Sequence, residues 1–174
     1  MIIILTVSFL AYKHWLSVPT PNTIIKPCGE SPEEARAAGC TFDIMMDSWL
    51  SEKCYDEPLS REFRQLKEWP FYTDNHGIKR LNYEELSTSV QAHTTLEYHY
   101  FHCLFAVHKL HRAIAHGRYI EEDVAKLGHT SHCAGYLERT ILRLNRSEEY
   151  ELDHIGTKLN IAYPTCIDAR SMLL

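Results

Sequence analysis

HYFHC at residues 99–103 and HTSHC at residues 129–133 share one pattern: two histidines three positions apart, with a cysteine directly after the second. The chain has 11 histidines in 174 residues, so one such pentapeptide can arise by chance. A second copy with the same spacing is much harder to explain in that way. The duplication indicates that both pentapeptides serve one site.

On an α-helix, each pentapeptide would present its polar side chains on a single face, because positions i, i+3 and i+4 lie together. The two sets that project together are His99, His102 and Cys103, and His129, His132 and Cys133. Tyr136 continues the second face, whereas His108 and His111 point to the opposite side of the first helix. Two such helices packed face to face would bring four imidazoles and two sulfurs into one small volume.

Four converging imidazoles predict a metal site, since histidine suits copper, zinc and iron. We therefore expect His99, His102, His129 and His132 to be metal ligands. An open coordination position would make them a catalytic centre, whereas a saturated site would be structural. Haem ligated axially by facing histidines is a further alternative.

Cys103 and Cys133 are expected to support this site in one of two ways. As thiolates they would be soft ligands that favour Cu(I) or zinc. In an oxidising compartment they would instead form disulfides that lock the histidine helices in place. Tyr136, with Tyr98 and Tyr100, would line the pocket or pack in the core.

The remaining sequence predicts a mainly α-helical domain with two facing motif helices, long disulfide-tethered loops and minor or no β-structure. Helices are expected at 31–39, where Ser31 and Glu34 form a capping box, and at 58–69, 96–116, 119–127 and 129–144. Segment 41–58 shows no sustained period and is interpreted as irregular. Residues 87–95 would form at most a short strand.

The domain boundaries follow from the apolar beginning of the chain. We expect residues 1–18 to be a hydrophobic anchor or signal segment, although the apolar run of 1–12 is shorter than the roughly 20 residues that span a bilayer. A hydrophobic first element of the fold is the alternative. Pro19, Pro21 and Pro27 mark 19–27 as a linker, and 28–174 would be the folded domain.

The cysteine count favours a secretory compartment, in which disulfides persist. Besides the motif thiols, the disulfide candidates are Cys28, Cys40, Cys54 and Cys166. Cys28 and Cys40 bracket the first predicted helix and can staple its ends. Asn145-Arg-Ser is a glycosylation acceptor pattern. The net charge of −5, without a basic cluster, argues against a nucleic-acid partner.

The doubled motif resembles the UstYa-like family of fungal natural-product (mycotoxin) biosynthesis oxidases, whose signature is two His-x-x-His-Cys motifs. The stretch CGESPEEARAAGC, which begins at Cys28, and YPTC at 163–166 are also similar to members of that family. The resemblance covers about residues 28–166. It implies a membrane-anchored, single-pass protein with a lumenal domain, or else a secreted one.

The resemblance further implies a metal-dependent oxidase that acts on a peptide or small metabolite by oxidative cyclisation, hydroxylation or desaturation. Copper is the expected metal, with zinc and iron as alternatives. Homo- or hetero-oligomers with related proteins are also implied. The competing function is a non-catalytic secretory-pathway protein with a structural zinc site.

Overall fold

The computed structural model describes residues 27–144 and 152–173. Three sequence predictions fall on residues outside these ranges: the hydrophobic segment 1–18, the linker 19–27 apart from Pro27, and the glycosylation candidate Asn145. Within the described ranges, no helix combines the length and the apolar character required to cross a membrane.

The longest helices in the described residues are the two that carry the motifs. In chain order the α-helices are α1 (Pro32–Ala37), α2 (Glu57–Leu66), α3 (Tyr83–Thr88), α4 (Leu96–His116), α5 (Glu122–Ala125) and α6 (Leu127–Leu144), followed by a 3-10 helix at Ala169–Leu173. Helix α4 has 21 residues and contains the first pentapeptide. Helix α6 has 18 residues and contains the second.

In the part of the chain that the structure describes, short strands form three antiparallel sheets. The strands are β1 (Thr41–Asp43), β2 (Ser48–Leu50), β3 (Phe71–Tyr72), β4 (Arg80–Leu81), β5 (Gln91–Thr94), β6 (Tyr119–Glu121), β7 (Thr157–Asn160) and β8 (Cys166–Asp168). β1 pairs with β2, β6 pairs with β8, and the largest sheet has the order β4-β3-β5-β7. The fold is therefore mixed α and β, and the prediction of a mainly α fold with minor or no β-structure is wrong.

β5 lies within the short strand allowed at 87–95. The other strands were not predicted, because they are short and pair over long distances. Two to four residues per strand are too few for an alternating pattern to stand out. The sheet also joins distant parts of the chain, since Gln91 lies opposite Asn160 and Thr94 opposite Thr157. These pairings are determined by side-chain packing between distant parts of the chain, and not by the local strand propensity of each segment.

Helix α4 begins and ends at the predicted residues. The hydroxyl of Thr95 accepts a hydrogen bond from the backbone N–H of Tyr98, which caps the helix at its start. Gly117 ends it with a φ of 59°, a left-handed conformation that is strained for residues with a side chain. The predicted helix at 96–116 is thus confirmed, and it is the element that places His99 and His102.

The helix predicted at 119–127 is wrong in its first part. Tyr119–Glu121 is strand β6, in which the fully buried Ile120 lies opposite Ile167 of β8. Only Glu122–Ala125 is helical there, and α6 begins at Leu127 and not at His129. A buried β-branched residue paired across a sheet outweighs the helical pattern of the acidic residues after it.

The first part of the segment predicted as irregular (41–58) is a β-hairpin, formed by β1 and β2. Phe42 of β1 lies opposite Trp49 of β2, and the two rings contact each other at a centroid distance of 5.7 Å. The turn between the strands is stabilised by Asp43, whose carboxylate accepts a hydrogen bond from the N–H of Met45 at 3.0 Å. Asp47 completes the turn with a φ of 51°, which aspartate tolerates better than most residues.

An aromatic cluster holds α4 against α2 and the largest sheet. Phe63 of α2 lies 4.8 Å from Trp69 and 5.2 Å from Phe105 of α4, measured between ring centroids. Tyr98 of α4 lies 5.0 Å from Phe71 of β3. Such contacts exclude water over one side of α4 and stabilise its orientation. The neighbouring side of the helix presents the first histidine pair to α6.

Two disulfides, Cys28–Cys40 and Cys54–Cys166, confirm the four cysteines predicted to be bonded outside the motifs. The first staples α1, whose N-cap Ser31 accepts from the N–H of Glu34. The predicted capping box is wrong in one detail, since the carboxylate of Glu34 accepts from the N–H of Glu30 and not of Ser31. The second disulfide ties the segment before α2 to β8.

Candidate metal centre

The four predicted ligands converge because α4 and α6 lie side by side in opposite directions. The ring of His99 is 5.4 Å from that of His132, and the ring of His102 is 5.8 Å from that of His129, between centroids. The Nε2 atoms of His99 and His132 are 3.3 Å apart. The duplicated spacing therefore produces a single cluster of imidazoles.

His102 is fixed by the hairpin turn. Its Nδ1 lies 2.7 Å from the carbonyl oxygen of Met45. A carbonyl only accepts hydrogen bonds, so Nδ1 carries the proton and Nε2 keeps a lone pair, the usual arrangement of a metal-binding histidine. Burial lowers the pKa of His102 to about 3, against the opposing effect of the Met45 hydrogen bond. The ring is therefore neutral at pH 7.

His99 is held between strand β7 and α6. Its Nδ1 lies 3.4 Å from the hydroxyl of Thr157, and the ring of Tyr136 packs against it at 4.0 Å between centroids. Burial, with the neighbouring His132 and His129, lowers the pKa of His99 to about 4. Because metals bind only the neutral imidazole, both histidines of α4 are already in the state that a ligand requires.

The two motif cysteines meet beneath the histidines. Both are free thiols without solvent exposure, and each lies close enough to the other to shift its pKa. Contact with the Cys103 thiol and with His129 lowers the pKa of Cys133 to about 5. The same contacts raise the pKa values of Cys103 and His129. The Sγ atom of Cys133 lies 3.9 Å from Nδ1 of His129.

The cluster opens to solvent on the side of α6. His132 is exposed, whereas His99, His102 and His129 are partly buried. A small molecule that approaches along α6 would therefore meet His132 first. Tyr136, which contacts both His99 and His132, borders the same opening.

The residues fit a metal ion in donor type and protonation, and in the spacing of one pair. Two nitrogens that each lie about 2.0–2.1 Å from one tetrahedral ion are roughly 3.3 Å apart, which matches the 3.3 Å between His99 and His132. As they stand, no three His, Cys, Asp or Glu side chains in residues 27–144 and 152–173 have full ligand geometry. Binding would therefore require the two histidine pairs to move closer together.

The other histidines of α4 lie away from the cluster. His108 and His111 are both exposed on the far side of the helix, as 3.6 residues per turn predict. Tyr100 is buried and packs 5.2 Å from Tyr136 between ring centroids. Tyr98 lies in the aromatic core and not in the opening.

The groups that position His102 were missed by the sequence analysis. The hydroxyl of Tyr98 donates to the carbonyl of Ile44 at 2.6 Å and also contacts the carboxyl of Asp47. Burial raises the pKa of Asp47 to about 8, so its carboxyl is protonated at neutral pH. The available signal was DIMMD at 43–47, where two acidic residues enclose apolar ones in a turn. The backbone carbonyl of Met45 itself has no sequence signature.

Comparison with known proteins identifies two relatives from the fungus Diaporthe leptostromiformis, phomopsin biosynthesis cluster protein B and phomopsin biosynthesis cluster protein B'. Each is 27% identical to this chain over 152 residues, which cover 80% of the chain and 44% of the relative. The chain thus spans less than half the length of these relatives. No family model matches the sequence. No solved structure matches it either.

Proposed function

We propose that this chain is a metal-dependent oxidase of the UstYa-like family, a proposal that its doubled motif and its two relatives support. Homology to proteins of a fungal biosynthesis cluster supports a role in secondary-metabolite biosynthesis. The histidine cluster supports the oxidase activity. Its substrate would be a peptide or a small metabolite.

One observation carries this proposal, the convergence of four imidazoles in which the Nδ1 atoms of His99 and His102 are occupied. Thr157 and Met45 contact those atoms, which leaves the two Nε2 atoms for a ligand. Orientation of this kind, by a partner on the remote ring nitrogen, increases the affinity of metal sites. Ordinary core packing of histidines does not require two Nε2 atoms to face each other, as those of His99 and His132 do at 3.3 Å.

The protein's own contribution is to hold the metal ion, to orient its ligands and to shield the site from water. His99, His102, His129 and His132 would hold the ion, and copper or iron would supply the one-electron redox chemistry that removes electrons from a substrate. Burial of the rings behind the hairpin turn excludes water on that side. The opening beside His132 and Tyr136 admits substrate on the other.

Copper is the metal we propose, because imidazole nitrogens suit copper and copper supplies one-electron redox chemistry. Zinc and iron remain the alternatives. A haem is disfavoured because the rings of Tyr136 and His132 pack against His99, at 4.0 Å and 5.4 Å between centroids, where a macrocycle would have to lie.

A structural zinc site is the second candidate function. The observation that favours it is the contact of Cys133 with His129, since a thiolate beside imidazoles is a common zinc environment. The exposure of His132 favours the oxidase instead, because structural sites are usually closed.

The lumenal placement and the membrane attachment through residues 1–18 are part of the same proposal. The two disulfides outside the motifs support a secretory compartment, because such bonds are rare in the cytosol. Association with copies of this chain or with related proteins is proposed on the family resemblance.

The test is to delete the gene in its host and restore it as wild type, His102→Gln or His108→Gln. We expect loss of a product that carries one oxygen more, or two hydrogens fewer, than its precursor. Wild type and His108→Gln should restore that product, and His102→Gln should accumulate the precursor. Full restoration by His102→Gln, with normal protein levels, would contradict the oxidase proposal.

A further inference from the structure

Helix α6 is attached to the protein by very few buried side chains. Among its described residues, only Cys133 and Thr140 are buried, while Ile141 is 66% and Leu142 49% exposed. Most helices in proteins are stabilised by burying an apolar face. Helix α6 has little such burial, yet it carries half of the imidazole cluster and must hold it in register with α4.

Two buried thiols, one from each helix, lie in the contact between α4 and α6. Cys103 is fully buried on α4 and Cys133 is fully buried on α6. Each directly follows a histidine whose ring faces the opposite motif, at 5.8 Å for His102 and 5.4 Å for His132 between centroids. The other four cysteines of the chain are already paired. Neither thiol therefore has another free cysteine in the chain with which it could form a disulfide.

We propose that Cys103 and Cys133 form a third disulfide, which anchors α6 on α4 and fixes the two histidine pairs relative to each other. A disulfide requires Cα atoms about 4.4–6.8 Å apart, a separation that facing positions of two packed helices can provide. Each cysteine directly follows the second histidine of its motif. The bond therefore restrains His102 and His132 through a single residue on each side.

The chemistry is thiol–disulfide exchange with an external protein or low-molecular-weight disulfide. One motif cysteine, as its thiolate, attacks that disulfide and releases the first thiol. The other motif cysteine loses its proton and attacks the mixed disulfide, which releases the second thiol. Two protons and two electrons leave the cysteine pair, and the external disulfide is reduced.

Burial of the two sulfur atoms determines at which stage of folding the thiol–disulfide exchange can take place. In the folded protein neither sulfur is accessible to an external disulfide, so the bond forms while α6 docks on α4. This makes it a structural bond and not a switch. The inference stands whichever metal the cluster holds, and also if it holds none.

Peptide mapping tests the bond directly. The reduced, unfolded chain is refolded in EDTA and a glutathione redox buffer in which Cys54–Cys166 forms completely, then unfolded in the presence of excess alkylating reagent and digested with trypsin. We expect one linked species that joins peptide 81–109 to peptide 127–139. Alkylated or glutathionylated Cys103 and Cys133, alongside complete Cys54–Cys166, would overturn the proposal.

Variants then separate a bond from ordinary packing. Cys103→Ala, Cys133→Ala and the double variant should each accelerate hydrogen exchange in α6 to the same extent, because losing either sulfur breaks the same bond. Each should also lower Tm by on the order of 10 °C. The Cys28→Ala/Cys40→Ala variant should leave exchange in α6 unchanged. Additive effects of the two single changes would mean packing alone, and would overturn the bond.

Discussion

At the scale of single residues, the fold keeps His99 and His102 neutral by removing them from water and placing imidazoles next to one another. Both effects oppose protonation, and together they lower the pKa values to about 4 for His99 and about 3 for His102. The rings are therefore ready to bind a metal without releasing a proton. The consequence for the metal-free protein is a sensitivity to acid.

This sensitivity predicts the behaviour of a His102→Gln variant. Below pH 6.5 the unfolded chain binds protons that the folded chain excludes, so stability is complete above pH 6.5 and falls as the pH drops toward 3–4. By about pH 5, one buried histidine should account for roughly 2 kcal/mol of that loss. Urea unfolding of metal-free protein at about pH 7.5 and about pH 5 should show a smaller loss for His102→Gln than for wild type.

The exposed His108 supplies the matched control for this measurement. His108→Gln should lose as much stability as the wild-type protein over the same pH interval, because that ring remains in water in the folded state. An unchanged loss in His102→Gln would show that the buried ring does not resist protonation.

At the scale of elements, the β1–β2 hairpin acts as the support of α4. Its turn presents the carbonyl of Met45 to His102, and Tyr98 of the same helix holds the neighbouring carbonyl of Ile44. One helix thus contacts consecutive residues of the turn with its tyrosine and its histidine. Displacement of the turn would let the His102 ring rotate.

Tyr98→Phe should therefore weaken metal binding as well as stability. The change leaves the carbonyl of Ile44 and the buried carboxyl of Asp47 without their hydroxyl partner, which typically costs about 1–3 kcal/mol. It should also lower the affinity for Cu(II), measured by competition with a chromophoric chelator. Tyr83→Phe is the matched control, since the Tyr83 hydroxyl donates to Phe42 of the same hairpin but away from the turn. Equal affinities in the two variants would contradict a positioning role for Tyr98.

The elements that the sequence predicted well are those with local signals. Helix α4 has a hydroxyl N-cap and a glycine stop, and i, i+3, i+4 spacing brought its histidines to one face. The hairpin and the β5–β7 pairing depend on contacts between distant residues, which local patterns do not encode. For the same reason the four ligand candidates could be predicted, whereas the Met45 carbonyl and Thr157 could not.

At the scale of the whole molecule, a buried charge cluster connects the amino-terminal hairpin to the motif helices. Lys109 of α4 donates to the carboxylate of Glu121 at 2.6 Å and lies 3.8 Å from that of Asp43, and each of the three is at most 2% exposed. One carboxylate oxygen of Glu121 and one of Asp43 have no hydrogen-bond partner. Lys109 is therefore the main compensation for two buried acids.

Lys109→Met should destabilise the fold by about 3–5 kcal/mol, because the acids would stay buried without a cation. Urea denaturation monitored by circular dichroism measures this change. Adding Glu121→Gln to Lys109→Met should recover part of the loss, since it removes one of the uncompensated carboxylates. Lys126→Met, at an exposed ion pair of α5, should have little effect. A comparably small effect of Lys109→Met would show that the cluster is hydrated.

The central claim, that two pentapeptides build one metal centre, is tested most directly by metal content. Wild type and the variants His102→Gln, His132→Gln, His108→Gln and His111→Gln are loaded with copper, desalted and measured by inductively coupled plasma mass spectrometry, with folding checked by circular dichroism. We predict that wild type, His108→Gln and His111→Gln retain the ion, and that His102→Gln and His132→Gln lose it. Retention by folded His102→Gln and His132→Gln, or equal losses at all four positions, would contradict the account.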